Sequence, residues 1–327
     1  MASVAVQIVT YQSLRFLPFL LNSLKEQTFK EFSWLIIDNG STDGTMSYLK
    51  ECWPNVPVFQ NRKNFGYAKA NNQGIKLSTS PYILILNPDI ILDKNFIKEI
   101  MKTMVKYKNA GAAGGKLLKA RFKDSFSGKF PEFSQIIDSC GLEISKGLRF
   151  FDRGQGEIDN GQYNKEEKVF GINGAAVIYK REALEDIKYK GEYFDEDFFA
   201  YKEDIDLAWR LKNKGWSSFY NPYALAYHFR KIGAEQGNKK LFFIPKDQFN
   251  KSALINFLSF RNHLWLIVKN CPKKLFFYEF PYFFLFQAIK FFWLLIQSPL
   301  SAIKGFFSFF IYLPEMFEKR NKILNKK

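Results

Sequence analysis

The chain has 327 residues, 47% hydrophobic and 24% charged, which supplies apolar surface for a large core and excludes disordered and fibrous classes. Its formal charge of +16 is unevenly spread: residues 1–230 carry 32 Lys and Arg against 27 Asp and Glu, and residues 231–327 carry 16 against 5. The basic tail also holds 18 of the 37 Phe residues, a pairing that speaks for an anionic lipid surface and against nucleic acid. Cys52, Cys140 and Cys271 form no CxxC pair, so a reducing compartment is expected. The start MASVAVQIVTYQS lacks the pattern of a secretory signal.

Along the first part, short apolar runs alternate with helix-like stretches. Val4 to Val9, Trp34 to Ile37 and Tyr82 to Leu86 read as buried parallel strands, and Leu17 to Lys25, Tyr67 to Leu77 and Asn95 to Tyr107 as the crossover helices between them. That order predicts an α/β fold whose ligands bind beyond the carboxyl ends of the strands. From Lys119 to Phe170 the periodicity weakens, and loops with small β elements are expected. Gly174 to Tyr179 then reads as a strand, and Arg181 to Ile187 and Ile205 to Lys212 as helices.

The tail from Leu275 to Leu313 is strongly apolar but broken by Glu279, Pro281, Lys290, Pro299 and Lys304, with intervals of only ten to thirteen residues between charges. A spanning helix needs roughly 20 apolar residues. Helices lying in the headgroup region fit best; one span around residues 282–300, or burial against the protein or a partner, are the alternatives.

Five segments carry candidate chemistry. Thr10 and Tyr11 follow the first strand, and the loop DNGSTDG, with Asp38, Asn39 and Asp43, follows the second. Such carboxylates can accept from a base or a ribose, although Asn-Gly and Asp-Gly are also ordinary turn formers. NFGYAKANNQGI brings Asn64, a glycine at a helix entrance and Asn71, suited to a polar ligand or phosphate, without the spacing of a Walker loop. Asn87-Pro88-Asp89 ends the third strand, where a carboxylate can hold Mg²⁺ or Mn²⁺ against phosphates or simply terminate the strand.

In FDEDFFAYKEDIDLAWR, Glu203 and Asp204 open a helix among aromatic residues, a setting that raises a carboxyl pKa and makes a general base, though it also suits helix capping. His228 is a metal or phosphate ligand or a structural histidine, and His263 reads as a packing residue.

Taken in order from Val4 to His228, and through RNHLWLIVKN to about Asn270, these motifs resemble family 2 glycosyltransferases of the GT-A fold, in their rhamnosyltransferase-like branch. The resemblance implies a Rossmann-like, mostly parallel central sheet flanked by helices. Residues 1–230 would form the catalytic domain, with a nucleotide-sugar half of about 1–118 and an acceptor half of about 119–230. Residues 231–327 would be a helical, membrane-associated appendage.

It further implies inverting transfer from a nucleoside-diphosphate sugar to a hydroxyl acceptor, with a divalent metal; the basic, Phe-rich tail would place the enzyme at the cytoplasmic side of the cell membrane, near a glycan or lipid-linked acceptor. Carried over, Thr10, Tyr11 and Asp38 hold the nucleoside, Asn64 and Asn71 line the donor pocket, Asp89 and His228 face the metal, and Asp204 is the base beside Glu203. Asn87 departs from the DxD triplet common in the superfamily, which weakens the expected hold on free metal. A sugar-phosphate nucleotidyltransferase is the rival, disfavoured by TYQSLRF where a Gly-rich basic loop is needed; a nucleic-acid-binding module rests on pI alone.

Overall fold

The computed structural model describes residues 3–125, 128–230 and 252–324; residues 231–251 and 325–327 of the basic extension lie outside them. The first part runs β1 (Val4–Thr10), α1 (Leu17–Lys25), β2 (Phe32–Asp38), α2 (Thr45–Cys52), β3 (Val58–Gln60), α3 (Tyr67–Leu77) and β4 (Tyr82–Leu86). It continues as β5 (Ile90–Leu92), α4 (Phe96–Lys106), β6 (Ala110–Ser125), β7 (Gly128–Ser139), β8 (Leu142–Ser145), β9 (Arg149–Asp152), β10 (Glu167–Val169) and β11 (Ala176–Lys180). Then come α5 (Arg181–Ile187), α6 (Glu203–Asn213), β12 (Ser217–His228), α7 (Ala253–Asn270), α8 (Lys273–Gln297), α9 (Pro299–Ile311) and α10 (Leu313–Leu324).

Ten strands form one sheet in the order β10-β12-β6-β11-β4-β1-β2-β3, with β5 on β12 and β7 on β6. The β4-β1-β2-β3 part is parallel, β6 pairs β12 in parallel, and β11 lies antiparallel between β4 and β6. The alternation of β1 divides its side chains between two helix layers. Val4, Val6 and Ile8 pack with Leu17, Leu20, Leu21 and Leu24 of α1 on one face. On the other face, Ile83 and Ile85 of β4 pack with α3, α5 and α6. There Gln7 of β1 lies so close to α3 that a Cβ on Gly74 would come within 2.3 Å of its side chain, so a larger residue there would displace the Gln7 amide from Asn71.

Two expectations change. The weakly periodic region is not mainly loop, because β6 and β7 form a long antiparallel hairpin and β8 pairs with β9. Its early residues hide the pattern: a Cβ on Gly114 would meet Ile172 at 2.1 Å and one on Gly115 the carbonyl of Ala224 at 1.8 Å, so neighbouring backbone and side chains occupy the space a hydrophobe would need. The tail helix α8 also begins earlier than the apolar run suggested and is 25 residues long, the one described helix long and apolar enough by itself to cross a membrane.

Candidate active site

Register sets the site's base. β1 pairs in parallel with β2, Thr10 opposite Asp38, and with β4, Ile8 opposite Leu86, so the loops after all three strands open on one edge of the sheet. Asp38 is fully buried there; it accepts from the Thr10 hydroxyl at 2.9 Å and from the backbone N–H groups of Gly40 and Ser41 at 3.2 and 3.0 Å, shaping the loop. Asn39 donates to the carbonyl of Gly66 at 3.1 Å and accepts from Asn61 at 3.0 Å. Asn64 accepts from the N–H of Gly66 at 2.8 Å.

Asp43 accepts from the N–H of Leu14 at 3.0 Å and of Thr45 at 3.1 Å, tying the two loops together at the entrance of α2. Asn71, on the buried face of α3, accepts from Gln7 at 2.6 Å and donates to the carbonyl of Tyr67 at 3.0 Å. The polar atoms of Asp38, Asn39, Asp43 and Asn71 are thus engaged by the protein itself. The Tyr11 ring stands half exposed at the rim.

A second group lies where β12 meets the turn after β4. β5 pairs with β12 so that His228 is opposite Ile90, and the N–H of Phe229 donates to the carbonyl of Asp89 at 3.0 Å. His228 Nε2 consequently lies 3.4 Å from Asp89 Oδ1, a buried oxygen with no hydrogen-bond partner, while Nδ1 sits 2.7 Å from Asp138 Oδ2. Burial would push the His228 pKa down, but Asp89 and Asp138 raise it to about 9. Arg230 lies 3.4 Å from Asp138 and donates to Asp152 at 2.9 Å. Burial would raise the Asp89 carboxyl; His228 and then Arg230 hold it below the usual range.

Among the described residues no group of three or more His, Cys, Asp or Glu side chains has metal-binding spacing. The pair suits a hard cation once His228 gives up a proton: the orphaned carboxylate oxygen then faces a neutral imidazole nitrogen whose partner nitrogen is fixed by a second carboxylate. Two protein ligands leave the remaining positions to phosphate and water.

Glu203 and Asp204 open α6. Asp204 Oδ2 accepts from the N–H of Gly174 at 3.1 Å and Oδ1 from that of Ile205 at 2.8 Å, whereas Glu203 Oε2 is buried without a partner. Burial, then the charge of Asp204, pushes Glu203 up to about 8, and burial raises Asp204 as well.

Two chains of contacts join this pair to Asp89. Through the first, the Tyr67 hydroxyl shares its hydrogen between Asn87 Oδ1 at 2.9 Å and the carbonyl of Gly174 at 3.0 Å. Burial and the charges of Glu203, Asp204 and Asp89 push that phenol far up, so it stays protonated. The second runs from Asp89 and His228 through Asp138 and Arg230 to Asp152, whose charge also bears on Asp204. Asp89, Asn87, His228, Glu203 and Asp204 are therefore linked through shared contacts at one end of the sheet. Tyr67, Asp138, Asp152 and Arg230 are additions to the sequence reading. Tyr67 stood inside a recognised motif, whereas Asp138 and Asp152 sit in the stretch without readable periodicity.

The mixed, mostly parallel sheet with flanking helices has the GT-A glycosyltransferase fold, as its solved structural neighbours show. GalNAc-T7 with UDP, GalNAc and Mn²⁺ superposes with a TM-score of 0.58 at 12% identity, over 82% of this chain and 48% of that one. The Pyrobaculum calidifontis mannosyltransferase in complex with GDP-Man and Mn²⁺ gives 0.53 at 13% identity, over 98% and 85%. The chain belongs to glycosyl transferase family 2, whose profile matches residues 5–188.

Among curated relatives, the N-acetylglucosaminyl-diphospho-decaprenol L-rhamnosyltransferase of Mycobacterium tuberculosis is 28% identical over 241 residues, 69% of this chain and 75% of that protein. The poly-beta-1,6-N-acetyl-D-glucosamine synthase of Staphylococcus epidermidis is 28% identical over 211 residues, 63% of this chain but only 45% of the synthase. The protein is a rhamnosyltransferase-like family 2 glycosyltransferase.

Proposed function

We propose that the protein moves a sugar from a nucleoside-diphosphate donor, with inversion, to a hydroxyl of a glycan or lipid-linked acceptor. The observation that supports this reading is the run of contacts through Asn87, Tyr67 and Gly174 that links the Asp89–His228 pair to the Glu203–Asp204 pair. Likeness to the mycobacterial enzyme supports rhamnose as the sugar. Residues 1–230 carry the chemistry, about 1–118 for the nucleotide sugar and 119–230 for the acceptor.

Thr10, Tyr11 and the loop shaped by Asp38, Asn39 and Asp43 receive the nucleoside, and Asn64, Asn71 and Asn87 shape the donor pocket. Asp204 takes the acceptor's proton as its oxygen attacks the anomeric carbon opposite the departing diphosphate. Asp89 and His228 hold a divalent cation, Mg²⁺ or Mn²⁺, which when bound neutralises charge on the leaving diphosphate. Arg230 adds fixed positive charge beside them.

The outer faces of α8 and α9 rest on an anionic membrane surface at the cytoplasmic side. Glu279 and Lys290, which interrupt the apolar run in sequence, turn inward: Glu279 accepts from the N–H of Gly147 at 2.7 Å, and Lys290 donates to the carbonyl of Ser259 at 3.2 Å. Phe277, Phe284, Phe292 and Ile296 are left on an exposed apolar face. A helix fastened in this way to the protein body favours an interfacial over a spanning arrangement.

The test is a panel of nucleoside-diphosphate sugars with and without Mn²⁺, following nucleoside diphosphate release and the anomeric configuration of the product. Release of nucleoside diphosphate supports the reading. Pyrophosphate formed from a nucleoside triphosphate and a sugar phosphate would replace it with nucleotidyl transfer.

A further inference from the structure

Three of the five residues ahead of Glu203 take a backbone conformation that L-amino acids rarely adopt. Phe199 has φ 61° and ψ −63°, and the N–H of Ala200 donates to the carbonyl of Phe198 at 2.7 Å, a three-residue turn of the rare, strained hand. Tyr201 and Lys202 follow with φ of 70° and 74°. None is glycine, so the surroundings must impose the path.

They do so mainly from α7, far along the chain. The buried amide of Asn262 lies 2.9, 2.9 and 2.8 Å from the carbonyls of Phe198, Ala200 and Tyr201, its two hydrogens shared among three acceptors. Arg261 fixes that amide by donating to Asn262 Oδ1 at 3.0 and 2.9 Å, and reaches the carbonyl of Asp197 at 2.9 Å. From the donor side, the N–H of Ala68 donates to the carbonyl of Phe199 at 3.1 Å. Gly66 makes room, since a Cβ there would lie 2.5 Å from the Phe199 ring. Both flanks of the loop are braced by α7 as well: Lys269 reaches Asp195 at 2.6 Å, and Asn270 donates to Asp206 at 2.7 Å.

We propose that Asn262 is a positioning residue that holds the strained loop and thereby sets Glu203 and Asp204 against the donor cleft, making α7 part of the catalytic machinery. This rests on the transferase reading above. It touches no reacting atom; it acts through the backbone of the loop.

The experiment compares the full-length protein with Asn262→Ala. The expected result is a fall in kcat on the order of 100-fold per folded molecule, with donor KM and nucleoside diphosphate affinity within about threefold of the parent. Adding Lys202→Gly, where glycine accepts the positive φ, recovers about tenfold of the loss. Hydrogen exchange at residues 198–206 accelerates in the single variant while the amides of β1 and β4 stay protected. Asn262→Gln, which keeps both donors on a longer stem, is read in the same way where the alanine variant does not fold. Unchanged kcat per folded molecule, or unchanged exchange in the loop, overturns the proposal. A parent protein that turns over no donor defeats the transferase reading instead, and the exchange measurement then still decides the clamp.

Discussion

Asp204 and Glu203 are adjacent carboxyls whose hydrogen bonding differs. Two backbone N–H groups stabilise charge on Asp204, whereas Glu203 Oε2 is buried with no donor, so Asp204 is the better placed of the two to carry the pair's charge. Asp204→Asn is therefore expected to lower kcat by about 10²- to 10⁴-fold with donor affinity retained, measured by steady-state kinetics. Burial also makes Glu203 a cost to stability. Its pKa rises from 4.5 in the unfolded chain to about 8 in the fold, so between those values the native state binds more protons and stability falls as pH rises. Glu203→Gln removes that loss: it should stabilise the protein by a few kcal/mol at pH 8 and by almost nothing at pH 4.5. A melting-temperature gain equal at both pH values would sink the assignment. For the cation, Asp89→Asn should abolish the added thermal shift from Mn²⁺ with nucleoside diphosphate while preserving the shift from nucleotide alone.

The last helix, α10, is fastened by charge. Lys319 is buried against Asp195 at 2.8 Å and against Asp197, with Lys269 on the other oxygen of Asp195 at 2.6 Å. Burial alone would raise the Asp195 carboxyl; the two lysines hold it well below its usual range. Lys319→Met leaves Asp195 buried with one cation, and urea unfolding should show a loss of about 3 kcal/mol. Pairs 124 and 74 residues apart cannot be read from one sequence. What could be read were elements with local causes. The expected helices over residues 17–25 and 67–77 coincide with α1 and α3, and β1, β2 and β4 are interior strands whose apolar runs announce themselves. The DNGSTDG turn gave no sign of α2 behind it, and the small residues of β6 concealed the longest strand. The candidate site divided in the same way: Asp89, Glu203 and Asp204 stand in contiguous motifs, whereas the partners of the lone His228, of Asp138 and Arg230, and of Asn262 within RNHLWLIVKN are set by tertiary contact.

Across the molecule, α7 packs on α6 beside the acidic loop, and α8 and α9 present their exposed Phe residues from the same body, so a membrane that captures this face also fixes the cleft's orientation. Charge and greasiness should act together: apolar side chains enter the interface while lysines such as Lys273, Lys274 and Lys304 meet anionic headgroups. Deleting the whole tail is a poor test, because it also removes Lys319 from Asp195. Substituting Phe277, Phe284 and Phe292 by Ser changes only exposed side chains. If burying each Phe contributes about 1.5 kcal/mol, the triple variant should lose on the order of 10³-fold in vesicle affinity. The parent is expected to co-sediment with vesicles containing phosphatidylserine, less with neutral vesicles and less at high salt. The triple variant should stay in the supernatant with an unchanged melting temperature and unchanged nucleotide binding. Equal sedimentation of parent and variant, or a parent that ignores both kinds of vesicle, would remove the membrane from the account and leave this face to another partner.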